Sequence, residues 1–132
     1  MYILDTNTCI YFLNGKYPAI KNRILSLSTR KIKIPSPVKA ELLLGAYKSQ
    51  SRVKTTEKVL AFLEPFEIIP FTDEMTNEYA DIRAELEKAG KTIGANDYFI
   101  AAIARSMNGI LITHNTDEFS RVNRLQLEDW AI

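Results

Sequence analysis

Cys9 is the only cysteine in 132 residues, so the chain can form no intrachain disulfide and shows no dependence on an oxidising compartment. Histidine is equally scarce. His114 stands alone, without a serine or cysteine partner of evident geometry, and reads as a loop residue rather than a base. Glycine numbers five, and neither Gly90 nor Gly94 belongs to a phosphate-cradling loop. Long apolar runs are missing too: the strongest, Tyr98 to Ala104, is far too short to span a bilayer. The opening Met-Tyr-Ile-Leu-Asp lacks a basic n-region and reaches a carboxylate too early for a secretory signal. With no repeat or low-complexity tract either, we expect one globular domain over residues 1–132, soluble and cytoplasmic.

What is present is an uneven charge distribution. Net charge is only +1, yet residues 1–58 carry 11 Lys/Arg against 3 Asp/Glu, while residues 59–132 carry 6 against 13. The N-terminal half is therefore the candidate for a polyanion, with Lys16, Lys21, Lys31 and Lys33 as candidate RNA-binding residues. The plainer alternative is that these lysines are solvated outer faces of helices.

Periodicity alternates strand and helix, the α/β pattern. Tyr2 to Leu4 is a short strand, followed by helices over Thr6 to Leu13 and Ala19 to Leu27. Lys31 to Pro35 alternates as a strand, and Ser36-Pro37 predicts an N-cap with a first-turn proline, opening a helix to about Tyr47. A helix over Arg52 to Leu63 stops at Pro65, and Glu67 to Phe71 is the third strand. Thr72 or Asp73 can cap a long helix with a Met75, Tyr79, Ile82 and Leu86 stripe, ended by a left-handed Gly90. The next helix starts near Ala95 and buries Phe99, Ile100, Ile103 and Met107; Ile110 to Thr113 is the fourth strand. A short helical segment around Asp117 to Arg121 and an edge strand within Leu125 to Trp130 close the chain. Cys9 reads as a small buried hydrophobe, and Phe119 and Trp130 as anchors of the C-terminus, with stacking of Trp130 on a nucleotide left open. Helical connections imply right-handed crossovers and a mainly parallel sheet of four to five strands, whose ligands bind beyond the carboxyl ends. Asp5 and the Thr113-His114-Asn115 turn both fall there.

Three carboxylates sit in apolar surroundings. Asp5 ends an apolar strand, where an unpaired charge costs several kcal/mol, about the penalty of a buried polar group left uncompensated. Glu41 is flanked by Val38, Leu42, Leu43 and Leu44, and Asp97 precedes Tyr98-Phe99-Ile100 in the first turn of its helix. Each has a purely structural reading: Asp5 as an N-cap, Glu41 as a surface residue whose stem covers the core, Asp97 as a partner of the helix dipole. Together they suggest more, because an oxygen-only cluster selects a hard cation such as Mg2+, and Mg2+ beside a phosphodiester supports its hydrolysis. A phosphatase using an aspartyl nucleophile needs a second aspartate two residues on, where this chain has Asn7. A phosphoreceiver needs an acidic pair ahead of its aspartate, and none is present.

The ordered set Leu4-Asp5-Thr6-Asn7, Ala40-Glu41-Leu42 with Gly45-Ala46, Gly94-Ala95-Asn96-Asp97, Leu111-Ile112-Thr113-His114-Asn115, and Glu118-Phe119 with Leu127-Glu128-Asp129-Trp130 resembles the PIN-domain family, and within it the VapC-type toxins. The resemblance implies a PIN-like α/β/α sandwich and an Mg2+-dependent endoribonuclease, with Mn2+ as the substitute ion. In that reading Asp5, Glu41 and Asp97 form the acidic metal site, supported by Asn7 and Thr113. Many family members carry an aspartate where this chain has Asn115, which leaves Glu118 as the alternative fourth acid, preferred to Asp117. A VapB-type antitoxin, a homodimer and a hetero-oligomer with the antitoxin are implied as well. The closing motifs resemble those of members that cut the anticodon stem-loop of initiator tRNA. A catalytically silent fold that only binds RNA or a partner is the alternative, which the presence of all three carboxylates opposes.

Overall fold

The computed structural model describes residues 1–132. Five strands, β1 (Tyr2–Leu4), β2 (Ile32–Pro35), β3 (Glu67–Ile69), β4 (Ile110–Ile112) and β5 (Gln126–Glu128), form one sheet in the order β3-β2-β1-β4-β5. Every pairing is parallel, so the sheet is parallel throughout rather than mainly so. Seven helices flank it: α1 (Thr6–Asn14), α2 (Pro18–Ser26), α3 (Ser36–Tyr47), α4 (Arg52–Leu63), α5 (Thr76–Ala89), α6 (Ala95–Ser106) and α7 (Thr116–Phe119). This is the expected α/β/α arrangement. No helix is long and apolar enough to cross a membrane.

The strand order follows from burial. Ile3, Leu4, Ile32, Ile34, Leu111 and Ile112 are all fully buried, so β1, β2 and β4 take the sheet's interior, and the more polar Glu67-Ile68-Ile69 and Gln126-Leu127-Glu128 take its edges. The chain moves outward from β1 through β2 to β3, then crosses back so that β4 pairs with the other side of β1. The sheet therefore has its topological switch point between β1 and β4, and sheets of this kind bind ligands in the crevice at the carboxyl ends of those strands.

Several boundaries differ from the sequence pattern, each for a local reason. Ser36 does not cap α3: it is the first helical residue, Pro35 holds the cap position, and no side chain bonds there. Neither Thr72 nor Asp73 caps a continuous long helix, because a 3-10 turn over Asp73–Met75 intervenes before α5. Pro70 has no N–H to donate, and β3 ends at Ile69 instead of reaching Phe71. Gly90 does end α5 in the left-handed region, at φ 68°.

Two glycines in different surroundings make a stability test. A Cβ on the buried Gly109 would lie 2.7 Å from Ile3 Cγ1 in the central strand, whereas one on Gly45, in the exposed face of α3, would meet nothing within 4 Å. Gly109→Ala should lower the unfolding free energy by about 1–3 kcal/mol through overpacking, and Gly45→Ala should raise it by roughly 0.5–1 kcal/mol through reduced chain entropy. Urea unfolding of the two variants checks both signs, and a neutral Gly109→Ala would show that β1 can retreat from the added methyl.

Candidate functional site

Asp5 is 4% exposed, one residue past β1, and its backbone N–H donates to Ile112 O at 3.1 Å, which ties it to the end of β4. Its Oδ1 accepts from Thr8 N at 2.9 Å, so Asp5 does N-cap α1. The capping reading and the functional one are thus compatible, since a carboxylate has a second oxygen to offer. The Thr8 hydroxyl donates to Ile112 O at 3.1 Å and locks the first turn of α1 to β4. Burial raises the Asp5 pKa, and the Glu41 charge adds to this; hydrogen bonds from the Thr113 hydroxyl and from the Thr8 backbone act the other way.

Glu41 comes from the second turn of α3 and accepts from the Thr6 hydroxyl at 2.6 Å. Asp97 stands in the first turn of α6, where the helix dipole favours the carboxylate, yet its pKa is pushed up to about 6. Partial burial is the largest cause, followed by the charges of Asp5, Glu41 and Glu118. Four carboxylates from β1, α3, α6 and α7 therefore feel one another at the switch point. Gly94 makes room for this: a Cβ there would come within 2.9 Å of Asp97 Oδ2.

Glu118 Oε2 accepts from Asn115 Nδ2 at 3.0 Å, and Asn115 N donates to the Thr113 hydroxyl at 2.9 Å. The amide at 115 thus orients the acid at 118, while the neighbouring Asp117 is exposed. Asn7 is also exposed, in the first turn of α1. No three His, Cys, Asp or Glu side chains are grouped as a ready-made metal cage. The set is an open, acidic, all-oxygen crescent, which suits a hard cation that keeps water and phosphate oxygens among its ligands.

The basic candidates divide. Lys33 lies in β2 level with Ile3, and its Nζ is held by Glu67 Oε1 at 2.7 Å; Lys31 lies just before β2, towards the amino end of the sheet. Lys33 is thus partly neutralised by Glu67, whereas Lys31 is exposed and has no carboxylate partner. Lys21 is exposed on α2, and Lys16 is exposed after α1 with its Nζ over the Tyr11 ring. Trp130 is not free to stack on a nucleotide: it is buried, packs edge-on against Tyr2 and donates from Nε1 to Glu128 Oε1. Sequence reasoning missed Thr6, Thr8 and Gly94. The placement of Thr8 three residues after Asp5 is the N-cap spacing and could have flagged it.

The PIN domain family model matches residues 2–125. Ribonuclease VapC2 of Rickettsia felis is 40% identical over 131 residues, covering 98% of each chain. The tRNA(fMet)-specific endonuclease VapC of Shigella flexneri is 35% identical over 130 residues, again covering 98% of each. The crystal structure of VapBC2 from Rickettsia felis bound to a promoter DNA fragment superposes with a TM-score of 0.91 at 39% identity, covering 98% of both chains. With its parallel sheet, its acidic switch-point crevice and these full-length matches, the chain belongs to the PIN-domain family, among the VapC proteins.

Proposed function

We propose that the chain is a divalent-metal-dependent endoribonuclease, the toxin of a VapBC pair, using Mg2+ with Mn2+ as a substitute, and that its substrate is tRNA, with the initiator tRNA anticodon stem-loop as the specific target. The convergence of Asp5, Glu41, Asp97 and Glu118 on the β1/β4 crevice carries this reading. The tRNA assignment draws on the Shigella flexneri relative, named for tRNA(fMet). The antitoxin assignment draws on the VapBC complex. The α3–α4 pair also exposes Leu44, Tyr47, Val53 and Leu60, an apolar face suited to a protein partner or a second copy.

Asp5, Glu41 and Asp97 would hold the cation. A divalent ion there supplies Lewis-acid activation of water and neutralises charge on the transferred phosphoryl group. The chain's own residues prepare the place for it. Burial and mutual repulsion raise the free energy of the ionised Asp5 and Asp97 carboxylates, and a bound cation would offset both. The Thr6 hydroxyl aims Glu41, the Thr113 hydroxyl steadies Asp5, and Asn115 holds Glu118 at the rim facing an incoming phosphate.

Asp97→Asn should abolish RNA cleavage while the protein stays folded. The pKa of Asp97 is raised on folding, so its protonated form favours the native state. Without metal, the contribution of Asp97 to stability is fully present below the unfolded carboxylate range and is lost as pH rises from about 4 to about 6. Asp97→Asn should remove that loss, leaving it more thermostable than wild type at pH 7 in EDTA. In wild type, Mg2+ affinity should weaken as pH drops through about 6. Cleavage assays and thermal melts at several pH values read all three, and cleavage by a folded Asp97→Asn protein would remove Asp97 from the site.

The fourth acid has its own test. Glu118→Gln should slow cleavage by about tenfold to a hundredfold, the scale of groups that support metal ligands, and Asp117→Asn should change little. Asn115→Asp should tighten Mg2+ binding if a fourth carboxylate at that position is what the site lacks. Cleavage rate against Mg2+ concentration separates these outcomes, and wild-type activity of Glu118→Gln at limiting Mg2+ would return Glu118 to a solvated helix residue.

A further inference from the structure

A cluster of rings that the metal site does not use packs against the edge of the core at the far end of α1 from Asp5. Tyr11 of α1, Tyr17 at the start of α2 and His114 after β4 meet there. The Tyr11 and Tyr17 centroids are 4.8 Å apart, edge to face, and Tyr17 and His114 are 5.0 Å apart at a tilt. Both ends of the cluster are tied to the acids. Tyr11 is six residues beyond Asp5, roughly 9 Å along the helix, and His114 follows Thr113, whose hydroxyl supports Asp5.

The cluster is built and yet open. His114 Nδ1 lies 2.8 Å from Asp129 Oδ2, and the other oxygen of Asp129 accepts from Ala131 N at 2.8 Å, so the imidazole is held in place. The three rings are only half-buried. Lys16 stands over them, its Nζ 5.3 Å from the Tyr11 centroid and 5.4 Å from that of Tyr17, without a carboxylate partner. Open aromatic faces crowned by an unpaired ammonium are what a single-stranded nucleic acid uses: a base stacks on the ring while the cation takes a phosphate.

We propose that Tyr11, Tyr17 and His114, with Lys16, form a nucleobase platform that holds the RNA nucleotide adjoining the scissile phosphate. This inference rests on the ribonuclease reading above. Because stacking is indifferent to base identity, the platform positions the strand and leaves sequence choice to other contacts.

The test uses the full chain in EDTA and an initiator tRNA anticodon stem-loop RNA with each loop nucleotide replaced in turn by an abasic one. Fluorescence anisotropy should show wild type losing about tenfold in affinity at one position, the scale of one stacked base. Tyr17→Leu should lose a similar factor with the intact RNA and become insensitive to that abasic position, while Tyr17→Phe, which keeps the ring, should behave as wild type. Lys16→Ala, an exposed change, should flatten the salt dependence of binding. In Mg2+, Tyr17→Leu should raise KM more than it lowers kcat. If wild type binds and cleaves the RNA but Tyr17→Leu and Lys16→Ala match it at every abasic position, the platform is overturned and the ribonuclease reading stands. If Tyr17→Leu keeps the wild-type abasic profile and Tyr17→Phe is as impaired as Tyr17→Leu, the ring is not the contact and the proposal is likewise overturned. If wild type neither binds nor cleaves any RNA, the ribonuclease reading and the platform resting on it fail together.

Discussion

A carboxylate that must stay buried at the end of the central strand organises this structure. Asp5 is nearly solvent-free, and burial opposes its ionisation. Two contributions make the position tolerable without a cation: the N–H of Thr8 at the start of α1 and the Thr113 hydroxyl. Each comes from an element whose position the sheet dictates. Capping α1 and preparing the acidic crevice are thus one arrangement, in which a single side chain starts a helix and faces the site.

The parallel order β3-β2-β1-β4-β5 makes the rest of the crevice possible. With β1 in the middle, the loops after β1 and β4 diverge to opposite sides of the sheet and leave a gap that other elements fill. The helix that follows β2 delivers Glu41, the first turn of α6 delivers Asp97 across the narrow Gly94, and the loop after β4 delivers Thr113 and Asn115. The cost is electrostatic. The Asp97 pKa is pushed up to about 6 although a helix dipole favours its ionisation, so burial, with the charges of Asp5, Glu41 and Glu118, outweighs the dipole. Tyr11, Tyr17, His114 and Lys16, gathered from α1, the start of α2 and the turn after β4, offer a strand of RNA a different kind of contact.

Local pattern was enough to read the elements and their sequence, because the fully apolar Ile3-Leu4, Ile32, Ile34 and Leu111-Ile112 can only be buried strands of a parallel sheet and Gly90 can only end its helix. It was also enough to single out Asp5, Glu41 and Asp97, since each is a charge in apolar company, while the preference for Glu118 over Asp117 came from the resemblance to the VapC-type toxins. What the sequence could not decide is everything set by distance between elements. That Lys33 stands opposite Glu67 and pairs with it is set by the register of β2 against β3, which the sequence does not carry. Thr6, Gly94 and the Tyr11–Tyr17–His114 cluster carry no local signal. Thr6 meets Glu41 35 residues away, and His114 meets rings about a hundred residues earlier in the chain, contacts that exist only once the sheet has closed. Burial preference is a property of a residue and its neighbours in sequence, whereas a pKa, an ion pair or a stacked ring belongs to the space between elements, and only the tertiary structure defines that space.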